Sequence, residues 1–155
     1  MQEGWQFKIT YYKKHVIKTP KTYKEIRKSV SNCYRKKSKE EIDKITRRAI
    51  KDYNDSLKIL KKSNCPKKLL GNPKFLKNKK VKQDRAVVLQ TRLNNLVKKN
   101  KTKEAKIMID KYILLTLELW KYGIYEKVYK FTINNGVINN RVILLDLFEL
   151  TDNTK

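Results

Sequence analysis

One histidine, His15, and two cysteines, Cys33 and Cys65, are the only imidazole and thiol groups in the chain. No third ligand stands near either cysteine, so the sequence predicts no zinc-type site. Two thiols in basic, polar surroundings make no disulfide framework, and they read as free thiols of a reducing compartment, the cytoplasm. No run of about 18 uncharged apolar residues occurs, which excludes a membrane-spanning helix from the expectations. Met1 to Ile9 is polar and aromatic with no apolar stretch behind it, unlike a secretory signal. Acidic residues are scarce: 15 Asp+Glu face 39 Lys+Arg, for a net charge of +24. Arginine is scarce as well, since 39 − 7 leaves 32 lysines.

A field of that size attracts polyanions, of which nucleic acid is the usual one. Lysine dominance points away from base reading and bidentate phosphate clamps, which favour arginine. The abundance of Asn, Ile and Tyr beside Lys also fits an AT-rich coding bias with no bearing on function.

The 39% of apolar residues falls at regular spacings and predicts a folded core. Phe7 to Tyr12 and His15 to Thr19 are β-type runs around Lys13-Lys14, a hairpin, and Pro20 stops the second strand. Lys21 to Lys37 reads as part helix and part loop. Ser38 and Glu41 form the S-x-x-E capping box of a helix. Its stripe is Ile42, Ile45, Ala49, Tyr53, Leu57 and Leu60, with Pro66 as terminator. Leu69 to Lys82 reads as loop with one short strand, Ala86 to Leu89 as a buried strand, and Leu93, Leu96 and Val97 as a short helix. Thr102 is expected to cap a long, largely buried helix that ends before Gly123 and takes Trp120 into the core. Val128 to Ile133, Val137-Ile138 and Arg141 to Leu145 read as strands, the last two joined at Asn139-Asn140. The order predicts an α+β fold: a small antiparallel sheet with the capped helix packed on it, then a helical and hairpin portion.

Three pieces of this sequence carry a resemblance: Val16-Ile17-Lys18 on the second hairpin strand, Asn134, and Leu145-Asp146-Leu147-Phe148-Glu149 after a later hairpin. They resemble, in order, the V-A-I-K strand, the catalytic-loop asparagine and the D-F-G segment of the protein-kinase-like fold. The pattern from Asn134 to Leu150 is similar to the N-x-G-V…V-x-L-I-D-x-G-E-L segment of the bacterial and archaeal lipopolysaccharide-kinase-like branch. The resemblance implies a single kinase-like domain over 1–155, with 1–92 like an N-lobe and 93–155 like part of a C-lobe, as in a truncated kinase fold. It implies ATP or another nucleotide with Mg²⁺ as cofactors. Lys18 would grip the phosphates, Asp55 would hold Lys18, the strand ending at Leu89 would take the adenine, and Asp146 with Asn134 would hold the metal.

The chain departs from the pattern in several places. Gly4 alone stands for a Gly-rich loop, and Phe148 for the D-F-G glycine. The catalytic aspartate's position holds Tyr129, or Lys130 if Asn135 is the match, and the sequence ends at Lys155 before an activation segment. Glu126 is the candidate substitute acid-base group. Phosphotransfer is therefore expected to be weak or absent, and the alternative expectation is a basic RNA- or ribosome-associated binding protein. For that alternative the lysine doublets would form one face, with Trp5 as the base-stacking residue.

Overall fold

The computed structural model describes residues 4–153. The expected hairpin is present: β1 (Phe7–Tyr11) and β2 (His15–Pro20) run antiparallel, with Phe7 opposite Pro20 and Tyr11 opposite Val16. The basic stretch that follows is more regular than expected. It forms α1 (Tyr23–Cys33), because Thr22 and Glu25 make a reciprocal capping box: the Thr22 hydroxyl accepts from the Glu25 amide, and the Glu25 carboxylate accepts from the Thr22 amide. Ser38 and Glu41 repeat the device at the start of α2 (Lys39–Lys62), which ends at Ser63, three residues before the proline expected to stop it.

After a 3-10 turn at Lys67–Leu70 come β3 (Lys74–Phe75) and β4 (Val81–Asp84). Gly71 makes this turn possible. It sits at φ +65, and a Cβ there would lie 2.8 Å from the Ile143 side chain, so only glycine satisfies both constraints. The strands complete an antiparallel sheet of order β1-β2-β4-β3. The side chains of Tyr53, Leu57 and Leu60 on α2 share one core cluster with Phe7 and Val81 from this sheet. Ile26 and Val30 of α1 join Ile42 and Ala49 of α2 in a second cluster.

The run from Ala86 to Leu89 differs from expectation. Only Val87–Val88 is strand (β5), at the edge of a second antiparallel sheet, and Val87 is half exposed. Leu89 instead begins α3 (Leu89–Lys98) and is wholly buried. The chain continues through α4 (Thr102–Lys121), β6 (Tyr125–Glu126), the single turn α5 (Phe131–Asn134), β7 (Asn135–Ile138), β8 (Arg141–Leu144) and β9 (Leu150–Thr151). Thr102 is the first helical residue of α4 and makes no capping bond. Val128 to Ile133 is not a strand. The Asn134 amide bonds to the Lys130 carbonyl at 2.8 Å as a helical turn, and the neighbouring β6 is already paired with β9. Asn139 and Asn140 take positive φ, 46 and 64, and join β7 to β8 as expected.

The result is an α+β fold with five helices among the described residues and small antiparallel sheets throughout. No described helix is long and apolar enough to cross a membrane. The expected burial of α4 is only half realised. Ala105, Met108, Leu115 and Leu119 are buried, but Ile109, Ile113, Leu117 and Trp120 face solvent. Here the stripe is wider than the surface available to cover it.

Phe148 packs across β1 and α2. Wholly buried, its ring stacks on Tyr53 of α2 with centroids 4.5 Å apart and tilts against Phe7 of β1 at 4.7 Å. Phe148→Ala is expected to cost about 3–5 kcal/mol, measured by urea denaturation. Val97→Ala on the exposed face of α3 should stay within about 0.5 kcal/mol. Similar losses in the two variants would mean that the aromatic stack carries no special weight.

Candidate functional site

Lys18 lies on β2 with its side chain turned inward, 4% exposed. Its ammonium donates to the Leu145 carbonyl and sits over the rings of Phe7 and Phe148, 5.2 and 5.4 Å from their centroids. Burial pulls its pKa down from 10.5 to about 8, against the pull of the Asp146 carboxylate, which favours the charged form. The structure brings β2 against the segment after β8: the Lys18 ammonium reaches the Leu145 carbonyl, and the Asp146 charge acts on Lys18 across 128 positions of chain.

Asp146 follows β8 directly and is half-buried. Its carboxylate accepts from the Phe148 amide at 3.2 Å, and its own amide bonds to the Asn134 carbonyl at 3.0 Å. The Leu145 amide reaches the same carbonyl at 2.7 Å, so Asn134 anchors the backbone on which Asp146 stands. The Asn134 side-chain amide donates to Glu126 Oε1 at 3.1 Å and to the Val128 carbonyl at 3.0 Å. Glu126, at the end of β6, is held above the usual carboxylate range, first by burial and then by the Asp146 and Glu149 charges, with the Asn134 bond opposing them. Glu149 is raised likewise, by burial and then by Asp146.

Four of the six residues singled out in the sequence therefore belong to one neighbourhood: Lys18, Asp146, Asn134 and Glu126. Two do not. Asp55 bonds Lys51 one turn away at 2.6 Å, with Lys58 at 3.8 Å, so its carboxylate serves the solvent side of α2 rather than Lys18. Leu89 is a core residue at the start of α3 and offers no strand backbone to a ligand. Two residues of the neighbourhood were not singled out. Glu149 is the third carboxylate, visible in sequence only as a second acid three positions after Asp146. Asn135 is buried, donates from Nδ2 to the Phe131 carbonyl at 2.9 Å, and has an Oδ1 without a partner among the described residues.

The oxygen donors here are of the kind a small divalent cation takes, one or two carboxylates and an amide with water completing the shell. A cation would offset the Asp146 charge, which adds to burial in raising Glu126 and Glu149. No three His, Cys, Asp or Glu among the described residues converge closely enough to form an all-protein metal cage.

The lowered pKa of Lys18 fixes the sign of one pH effect. Between pH 8 and 10.5 the unfolded chain binds more protons at this residue than the folded one. The Lys18 contribution to stability therefore rises with pH across that window and is flat below it. Subtracting the unfolding free energy of Lys18→Met from that of wild type cancels the other groups. The difference is expected to move in favour of wild type by roughly 2 kcal/mol from pH 7 to pH 10. A difference independent of pH would show the ammonium to be solvated.

No family model, curated protein or solved structure matches the chain.

Proposed function

We propose that the chain is a reduced kinase-like domain that binds ATP or another nucleotide with Mg²⁺ where Lys18 and Asp146 meet, with weak or absent phosphotransfer. The observation that carries the reading is the Lys18 ammonium held on the Leu145 carbonyl, next to Asp146, with Asn134 bonded to the backbone of both residues. Phosphoryl transfer rests on positioning and charge neutralisation, and this is the set of groups it uses. Lys18 binds phosphate oxygens in exchange for the Leu145 carbonyl it now holds. Asp146 and Asn134 hold Mg²⁺, which supplies charge neutralisation to the phosphates. The adenine lies against the open edge of β5, where Val87–Val88 pairs on one side only.

Two features support weak transfer. Such folds hold the lysine with a helix acid, and Asp55 is engaged by Lys51 instead. Neither Tyr129 nor Lys130 is a base for the acceptor, and Glu126, raised by burial, is the one acid-base group on the preceding strand. Titration of Mg·ATP by calorimetry tests the site. Lys18→Ala is expected to weaken binding at least tenfold, and Asp146→Asn to abolish its dependence on Mg²⁺. Equal affinity in wild type and Lys18→Ala would rule the reading out.

A specific grouping also favours polyanion binding as a second reading. The end of α2 and the loop around β3 lie side by side: the Lys61 ammonium stands over the Phe75 ring at 5.6 Å, and Lys79 donates to Asn54 at 2.8 Å. The doublets Lys61-Lys62 and Lys79-Lys80 thereby share one flank. Trp5 contributes little to this reading, being half-buried and edge-on to Tyr34 at 5.5 Å. If RNA binds this flank, log affinity falls linearly with log salt, and each contact lysine replaced by Gln lowers the slope by about one unit. Negligible RNA binding at low salt, or a slope unmoved by Lys61→Gln with Lys62→Gln, would assign the charge to composition alone.

A further inference from the structure

α4 has two apolar faces, and only one of them has a partner. Ala105, Met108, Leu115 and Leu119 pack inward. Ile109, Ile113, Leu117 and Trp120, at steps of four, four and three, form a second line that is exposed: 49% at Ile113, 46% at Leu117 and 41% at Trp120. The line is roughly 16 Å long at 1.5 Å per residue. Its lower end continues into the Tyr125 ring, 6.1 Å from that of Trp120. A folded chain rarely leaves so ordered an apolar line open to water, and such surfaces mark sites of association.

The charges beside the line select the occupant. Lys98 and Lys99 close α3, and Lys103 and Lys106 lie in the first turns of α4; among the described residues none of the four makes an ion pair. Among the described residues Asp110 is the one unpaired acid bordering the line, since Glu104 and Glu118 are engaged by Lys101 and Lys121. A second copy of this chain would bring the same lysines and another +24 charges to the contact, which opposes a symmetric pair. An anionic bilayer would meet Asp110 in the plane of insertion. An acidic amphipathic helix brings no second set of lysines and, unlike a continuous bilayer, can leave a neutral side chain opposite Asp110: its apolar stripe covers Ile109 to Trp120, and its flanking carboxylates reach the free lysines.

We propose that the exposed face of α4 is a docking surface for an acidic amphipathic helix of another protein, separate from the Lys18–Asp146 neighbourhood. The probe is a synthetic 18-residue helix with leucines at three- and four-residue spacing and glutamates on both flanks, beside a twin with lysines in place of the glutamates. With Trp5→Phe as background, the Trp120 emission reports binding. The glutamate peptide is expected to shift that emission to the blue and to bind more weakly as salt rises. Ile113→Ser with Leu117→Ser should weaken it at least tenfold, and Lys103→Glu with Lys106→Glu about fivefold, while unchanged circular dichroism shows that these surface variants fold. The proposal is overturned by any of several outcomes. These are no binding of the glutamate peptide, equal binding of the twin, or binding that ignores the serine pair. Equally decisive against it would be a shift with phosphatidylcholine–phosphatidylserine vesicles in place of the peptide, or a dimer in sedimentation equilibrium that the serine pair dissolves.

Discussion

The segment from Leu145 to Leu150 is the seam on which the rest of the molecule hangs. Its first carbonyl takes the Lys18 ammonium from β2, its phenylalanine fills the space between β1 and α2, and the Leu150 amide bonds to Ser56 Oγ on α2 at 2.9 Å. The same segment is tied on its other side to Asn134 through two backbone bonds. Six consecutive residues thus close contacts to a hairpin, to α2 and to the turn α5, which lie far apart in sequence. Such long-range closure is slow to form and hard to satisfy partially, since a buried ammonium without its acceptor is costly. The four-stranded sheet, α2 and the β7–β8 hairpin hold their mutual positions because this segment holds its own.

The electrostatics follow from that placement. The Asp146 charge acts on a buried lysine and on two further carboxylates, and the fold does not neutralise these groups by direct pairing. Lys18 bonds a carbonyl rather than a carboxylate, and Glu126 bonds an amide. Lys18, Glu126 and Asp146 are each held by a neutral partner, so none of the three is locked into an ion pair by these bonds.

What could be read in the sequence divides along physical lines. Elements announced by local chemistry were legible: the hairpin at Lys13-Lys14, the helix begun by Ser38, and the turn at Asn139-Asn140. The structure also brings Lys18 to the backbone beside Asp146, two positions that only the order of elements relates in the sequence. Thr22 and Glu25 carry the same capping signal as Ser38 and Glu41 and went unread beneath the surrounding lysines. Asp55 and Leu89 could not be placed, because which turn of a helix faces a distant strand depends on its rotation about its own axis. The alternation of Val128 to Ile133 imitates a strand, but a strand also needs a free neighbour, and the sequence does not say that β9 has claimed β6. Period alone likewise shows that α4 has an apolar stripe and not how much of it is covered.

Gly136 stands where the linker before β5 crosses the second sheet: a Cβ there would lie 2.6 Å from a Leu145 methyl and 2.9 Å from the Ala86 Cβ. The residue before it is an asparagine, and an Asn-Gly pair in a loose chain is the most favourable setting for attack of the glycine nitrogen on the side-chain carbonyl, with loss of ammonia. In the native strand that attack is blocked, since Asn135 is buried, extended and tied through Nδ2 to Phe131. Each excursion to the unfolded state releases the pair. Deamidation would place an unpaired negative charge inside the sheet, so a molecule that unfolds often enough ages chemically and does not return to the native form. The glycine that lets the strands approach so closely also makes this position the clock of the fold.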